Sequence, residues 1–529
     1  MFLRQREEIL MNEEIQFIEC DKESEIIVEN VDVTSKQPFD ERFSVFCVAT
    51  LLHAVIYALF VYKNPSGLAY GAFVVSGMLY VIVCMKQMKL SVKKGSIFYL
   101  IAIIVLGIAT FCTDDGSIIF LNKVAIFVLT VVFILDNMFN TKKWQFSKYI
   151  SSAMVTAINS TAEIGSLWEK IGDYYKDRRS KNNSKYFYGL LGCVIALPVV
   201  VVMFVLLCSA DIVFKHWAIN IFGNVGVEDI VGLIFLFLFM FTISYCIMSN
   251  LSKKELDENV NEKKNIEPLA VIPVTLLLTL IYIIFSGIQI KCLFAGEVNL
   301  PDGYTYSRYA REGFFQLLVV SIINLIIVLV CVGYSKESKI LKGILTAMSC
   351  CTFVMIASSA VRMVTYIRFY YLTFLRIFVL WSLLVVAFVF VGVIIYIYKG
   401  TFPIFKYTII TVTCLYIAFA FSRPDYFIAK VNLSSTDGNE SVFFLGESFD
   451  DYEFMLELSA DAAPAVAEWM EKQGYEYEID NSYINEEYLF FYNPDEFGEN
   501  YMCEISEETD DMGIRDFNVS RYIAKLLLP

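Results

Sequence analysis

The sequence predicts an all-α integral membrane protein: about eleven transmembrane helices followed by a small, mainly helical, soluble C-terminal domain. Three observations carry this. The 529 residues are 57% hydrophobic and only 19% charged, where a soluble chain carries about 25% charged residues. The apolar residues fall in runs of roughly 20, the length that crosses about 30 Å of hydrocarbon as a helix. Charge is partitioned along the chain: residues 1–42 hold 12 acids and 5 bases, residues 43–422 hold 19 and 31, and residues 423–529 hold 25 and 6. A mildly basic membrane body therefore lies between two acidic ends, and the net charge of −14 is an uneven sum. Nucleic-acid binding is excluded, because it wants a basic face.

Residues 1–42 read as an acidic cytoplasmic tail. They hold no short apolar region and no small-residue cleavage site, so they are not a signal peptide and the first span is an uncleaved anchor. Residues 43–138 carry the first four spans, at 43–62, 68–86, 96–112 and 117–138. Residues 186–422 carry seven more, at 186–209, 229–249, 268–290, 313–334, 341–366, 371–398 and 403–422. Ile367 to Leu372 contains no Gly or Pro, so the turn between the ninth and tenth spans is inferred from length and from Arg368. Pro198 and Pro273 lie within spans, where transporters break helices but where membrane helices also tolerate proline. Gly67 and Gly71 form a lone GxxxG.

Lys/Arg asymmetry between loops sets orientation. With the N-terminus cytoplasmic, the cytoplasmic connections hold clusters such as Lys86, Lys89, Lys93 and Lys94, or Lys336, Lys339 and Lys342. The opposite connections are poor in bases, and Thr113-Asp114-Asp115-Gly116-Ser117 has none. An odd span count then places residues 423–529 outside the cytoplasm of the cell (plasma or inner) membrane.

The connection 139–185 repeats apolar residues at helical spacing: Ile150, Met154, Ile158, Thr161, Ile164, Trp168, Ile171 and Tyr175. Two readings stand side by side, an amphipathic helix in the membrane interface and a helix packed on the protein's own cytoplasmic side. After Phe421, Ser422-Arg423-Pro424-Asp425 breaks the last span. Ser459 or Asp461 is placed to cap a helix from Ala462 to Lys472, with Pro464 in its first turn and Gly474 as its stop. A last helix is expected over 518–527. The acids of this domain lack EF-hand spacing, and acidic surfaces are usually solvated.

No catalytic pattern is present: no G-x-S-x-G, H-E-x-x-H, P-loop or dinucleotide fingerprint. The cysteines lie mostly in apolar runs as small apolar residues. No CxxC and no Cys/His cluster appears, so no metal and no cofactor is expected. His53 and His216 have no obvious partner. Ionisable residues in or beside spans are the remaining candidates. One group is Arg308, Arg311 and Glu312 at the mouth of the eighth span, with Asn324 deeper in it. Salt bridges at i, i+4 and an interhelical hydrogen bond are the plain alternatives. The other group is Arg362, Tyr366, Arg368 and Arg376 around the ninth-to-tenth turn. Snorkelling to headgroups is the plain alternative; an inward guanidinium cluster suited to a phosphate or carboxylate is the functional one.

Three ordered blocks carry a family resemblance: RYAREGFFQLLVVSIINL (Arg308–Leu325), VRMVTYIRFYYLTFLRI (Val361–Ile377), and RPDYFIAKVNL (Arg423–Leu433) with LSADAAPAV (Leu458–Val466). With them the chain resembles the bacterial multi-spanning membrane proteins of domain-of-unknown-function families 4153 and 4173. Tyr371 departs from the glycine expected in the Tyr-Gly-Leu-Thr-like stretch. The resemblance implies an inner or plasma membrane protein and supplies no catalytic residue. The function expected first is non-enzymatic: sensing or scaffolding, with an extracytoplasmic domain that binds an envelope protein or glycan, the lipid bilayer being the other partner. A transporter or lipid-handling protein comes second and a membrane-embedded enzyme third.

Overall fold

The computed structural model describes residues 43–64, 66–178, 227–253, 264–294, 313–434, 449–473, 497–509 and 512–528, with isolated positions between 200 and 214 and Leu256. The first four spans appear as α1 (Phe43–Val61), α2 (Leu68–Gln87), α3 (Ile97–Cys112) and α4 (Gly116–Met138). A long helix α5 (Phe146–Arg178) follows. The later spans are α6 (Val227–Lys253), α7 (Pro268–Phe294), α8 (Phe314–Tyr334), α9 (Lys339–Tyr370), α10 (Phe374–Tyr398) and α11 (Ile404–Ala420). The C-terminal region supplies α12 (Pro424–Ser434), α13 (Phe449–Leu456), α14 (Ala463–Gln473), α15 (Phe497–Thr509) and α16 (Val519–Leu527). Among the described residues nine helices are long and apolar enough to cross a membrane, or ten if α11 and α12, bent by 53°, count as one span. The span expected at 186–209 lies almost wholly outside the described residues.

Contacts between connections fix which helix ends lie together. At one end, Lys63 after α1 pairs with Asp229 at the start of α6 at 2.5 Å, and Tyr62 donates to the same carboxylate. At the opposite end, Glu163 of α5 accepts from Ser249 at 2.7 Å and pairs with Lys253 at the end of α6. There too Ile266 bonds to the backbone of Tyr334 and Lys336, and Lys406 of α11 meets Asp136 of α4 at 2.7 Å. Asp136 also accepts from Ser96 and Thr141, so its burial near a span end is fully compensated. Large apolar side chains such as Phe120, Phe235 and Ile284 point outward, about two-thirds exposed, which is the surface a bilayer covers.

α5 occupies the connection and is helical over Phe146–Arg178. Ile150, Met154, Ile158 and Ile164 face outward and are exposed, whereas Ser152, Ser160 and Glu163 are buried. The polar face packs on α6, where Asn250 donates to Thr156 O at 3.0 Å and to Ser160 Oγ. Over the residues whose side chains are described, the helix thus packs its polar face on the protein and leaves its apolar stripe outward.

α7 runs unbroken through Pro273. Pro198 and His216 lie outside the described residues. His53 is buried and stacks on Tyr80, ring centroids 4.6 Å apart, and on Phe73. The C-terminal helices share a core of Ile428, Met455, Val466, Met470, Phe497 and Tyr501. Tyr371, Leu372 and Phe374 from the α9–α10 turn pack against this core, so it is continuous with the bundle. Asn432 clamps the turn, accepting from Leu372 N at 2.9 Å and donating to Leu372 O at 3.0 Å.

That turn explains the expected glycine. Tyr371 has φ 64° and ψ 179°, a region that only glycine enters without strain. Replacing Tyr371 by Gly and by Ala removes the same ring but leaves only Ala strained. The Gly variant is expected to be the more stable by about 1 kcal/mol or more, measured by thermal unfolding of the purified protein in detergent.

Candidate functional site

The most heavily built polar site among the described residues lies where the C-terminal helices meet the bundle. It begins with Thr113-Asp114-Asp115, the connection from α3 to α4. Asp115 caps α4, its Oδ1 accepting from Ser117 N at 2.7 Å and Ile118 N at 3.3 Å. This satisfies amides that a helix start leaves open. Thr113 donates to Asp461 and accepts from Asp115 N. Asp461 lies in a 3-10 turn, Ala460–Ala462, that leads into α14. It is fully buried and accepts from Thr113 Oγ1, Asp114 N at 3.1 Å and Ser520 Oγ. Arg423 Nε stands 3.8 Å away. One carboxylate thus joins the α3–α4 connection to α16, with a guanidinium from the α11–α12 break beside it.

The surrounding contacts repeat this linkage. Asn518 caps α16 through Oδ1 and donates from Nδ2 to Thr113 O at 2.8 Å. Arg521 Nε donates to Asp114 Oδ1 at 2.8 Å. Asp425, in the first turn of α12, accepts from Ser459 N at 3.1 Å and Ser459 Oγ at 2.6 Å. Ser459 and Asp461, expected to cap the following helix by side chain, spend their side chains on these longer-range bonds. The last helix, Pro464 in the first turn of α14 and the break at Ser422-Arg423-Pro424 all fall where the sequence placed them.

The segment before α16 also caps α2. Leu68 N donates to Phe517 O at 2.8 Å and Ala69 N to Arg515 O at 3.1 Å. Gly67 is what allows this approach: a Cβ there would lie 2.6 Å from Arg515 O and 2.7 Å from Asp516 Cα. Gly71, its GxxxG partner, would place a Cβ 3.2 Å from Gly107 O of α3. The motif therefore serves two contacts, a docked backbone and a neighbouring helix within one chain.

Electrostatically the junction is crowded with acids. Asp115 is 5% exposed, Asp425 7% and Asp461 0%. Burial and the neighbouring charges of Asp425 and Asp461 push the Asp115 carboxyl up to about 7, because each disfavours a further buried negative charge.

Of the residues singled out from sequence, Tyr366 and Arg376 come together, and Arg362 lies beside Gly313 at the mouth of α8. Arg308, Arg311 and Glu312 lie outside the described residues. Asn324 is fully buried and donates to Thr352 Oγ1 of α9 at 3.0 Å. Arg362 reaches Gln289 Oε1 of α7 at 3.3 Å, an acceptor it shares with Ser358. Arg376 stacks on Tyr366, 4.4 Å from the ring centroid, and donates to Tyr371 O. Arg368 is exposed. The junction carboxylates were legible only as a base-free connection and a cap, since the partners that join Asp425 and Asp461 to other segments lie from 34 to 348 residues away in sequence.

Long apolar helices in one bundle, with an outward-facing apolar surface, define a multi-pass integral membrane protein. The comparison with protein families gives the group: the model of a domain of unknown function, DUF4153, matches residues 100–469, and the chain belongs to this family. No curated protein matches, and no solved structure does. The matched segment contains Asp115, Arg423, Asp425 and Asp461 and stops before α16.

Asp461→Ala removes one acceptor from several buried donors at once. The opening free energy of α16, read by amide hydrogen exchange, is expected to fall by about 3 kcal/mol. Arg521→Ala, at a partly exposed ion pair, is expected to cost under about 1 kcal/mol.

Proposed function

We propose that this protein is a membrane sensor or scaffold whose C-terminal helices lie outside the cytoplasm, bind an envelope protein or glycan, and pass that event to the bundle. The observation that carries the reading is the fully buried Asp461 bonded to both the α3–α4 connection and α16. A partner that moves the C-terminal helices must either move the ends of α2, α3 and α4 or break these bonds. The orientation draws support from the opposite end of the bundle, where Lys93, Lys142, Lys253, Lys336, Lys342 and Lys406 gather. Such enrichment marks the cytoplasmic side.

Transport is the second reading, favoured by polar groups inside the bundle. Asn324 Oδ1 and Ser286 Oγ are buried without a hydrogen-bond partner among the described residues, and Arg362, Gln289 and Ser358 lie on the helices beside them. An Asn324→Leu variant that is stabilised yet has lost a solute-dependent phenotype would favour transport.

The orientation is tested with Ile514, which is 87% exposed beside α16. A cysteine placed there, in a variant lacking Cys503, is expected to react with a membrane-impermeant maleimide on intact cells. Labelling only after permeabilisation would put the C-terminal helices in the cytoplasm and remove an envelope partner from consideration.

A further inference from the structure

We propose that the junction is a proton-binding site in which Asp115 takes the proton, and that the proton helps fasten the C-terminal helices to the bundle. The proposal deepens the coupling reading above and rests on it. Three carboxyl groups from three separate segments are buried together: Asp115 at the start of α4, Asp425 in α12 and Asp461 before α14. Asp461 and Asp425 are supplied with donors by Thr113, Asp114 N, Ser520 and Ser459. Asp115 Oδ1 is engaged by the α4 amides, while Oδ2 is buried with no hydrogen-bond partner among the described residues. A buried acceptor atom with no donor, under the electrostatic influence of two other buried acids, is where a carboxyl group stays neutral.

Among the described residues, the charged and titratable groups around Asp115 come from several elements. The end of α3 and its connection bring Cys112 and Asp114. The α11–α12 break brings Arg423, α12 brings Asp425, and α11 itself brings Tyr416. The turn before α14 brings Asp461, and α16 brings Arg521. Arg521 is bonded to Asp114, and Arg423 is shared between Asp461 and Cys112 O. Four carboxyls thus face two guanidiniums, and full ionisation would leave an excess of buried negative charge. Among the described residues no group of three His, Cys, Asp or Glu side chains is arranged to hold a metal ion, so the proton is the ligand this geometry suits.

The sign of the linkage follows from the direction of the shift. A carboxyl raised from its ordinary 3.8 to about 7 in the closed junction binds its proton more tightly there than in the open one. Its contribution is complete below the ordinary value and is lost as pH rises toward about 7, with no further loss above. The junction is therefore held more firmly in mild acid than at alkaline pH.

The test uses the full chain in lipid nanodiscs with two readouts. Infrared pH-difference spectra follow the carbonyl stretch of protonated carboxyl groups, and hydrogen exchange corrected for intrinsic rates follows α16. A carboxyl band titrating near pH 7 is expected, with the opening equilibrium of α16 rising about a hundredfold between pH 5 and pH 8. Asp115→Asn keeps the cap acceptor but cannot ionise; it should abolish the band and make protection independent of pH. Asp425→Asn removes a neighbouring charge and should move the midpoint down. A protected α16 with no titrating band, or a band unchanged in Asp115→Asn, would overturn the proton site and leave the coupling reading standing. A titrating Asp115 band with α16 unprotected at every pH would overturn the coupling and with it the fastening role.

Discussion

Everything at the C-terminal end of this protein depends on one buried carboxylate. Asp461 has no solvent to stabilise its charge, so the hydroxyls of Thr113 and Ser520 and the amide of Asp114 must do so. Those groups belong to segments far apart in sequence, which Asn518 and Arg521 join again through Thr113 O and Asp114. Satisfying the charge fixes the α3–α4 connection, the start of α14 and the start of α16 at one point. The neighbouring bonds, from Asn518 to Thr113 O and from residues 515 and 517 to the open start of α2, extend that point into a surface. The C-terminal helices are consequently an extension of the bundle, sharing core contacts with Tyr371, Leu372 and Phe374.

The two ends of the bundle are built on opposite electrostatic plans. At the lysine-rich end, buried acids are matched by cations: Asp136 with Lys406, Glu163 with Lys253. At the junction end, acids are gathered with fewer cations and are held by hydroxyls and amides. The first plan makes fixed staples between helices. The second leaves a group, Asp115, whose carboxyl is held above its ordinary value by burial and the neighbouring acids.

How far the site could be read from sequence follows from the range of its contacts. Asp115 before Gly116-Ser117 is recognisable as a helix cap, because the bonds it makes are two and three residues away. Asn518 before the last helix is equally local. Ser459 and Asp461 look like caps for the same reason, yet their side chains serve Asp425, Thr113 and Ser520, which local spacing cannot indicate. The arginines near the ninth-to-tenth turn are intramembrane charges in the sequence; in the structure Arg362 meets Gln289 and Arg376 stacks on Tyr366, contacts that hydropathy does not indicate. Tyr371 is the intermediate case: an expected glycine marked the position, and the positive φ gives the cause.

The sequence by itself determined the solvent and the elements. Runs of about 20 apolar residues can only be helices in lipid, since each backbone group must be satisfied within its own segment. The lysine distribution distinguishes the two ends for the same reason of local chemistry. Tertiary structure alone decided which face of α5 meets the protein, that Gly67 admits the backbone of residues 515–517, and that Asp115, Asp425 and Asp461 share one buried site. Hydropathy is a property of each residue and adds along the chain. The energy of a buried charge depends on which distant groups surround it, and only the folded arrangement specifies those.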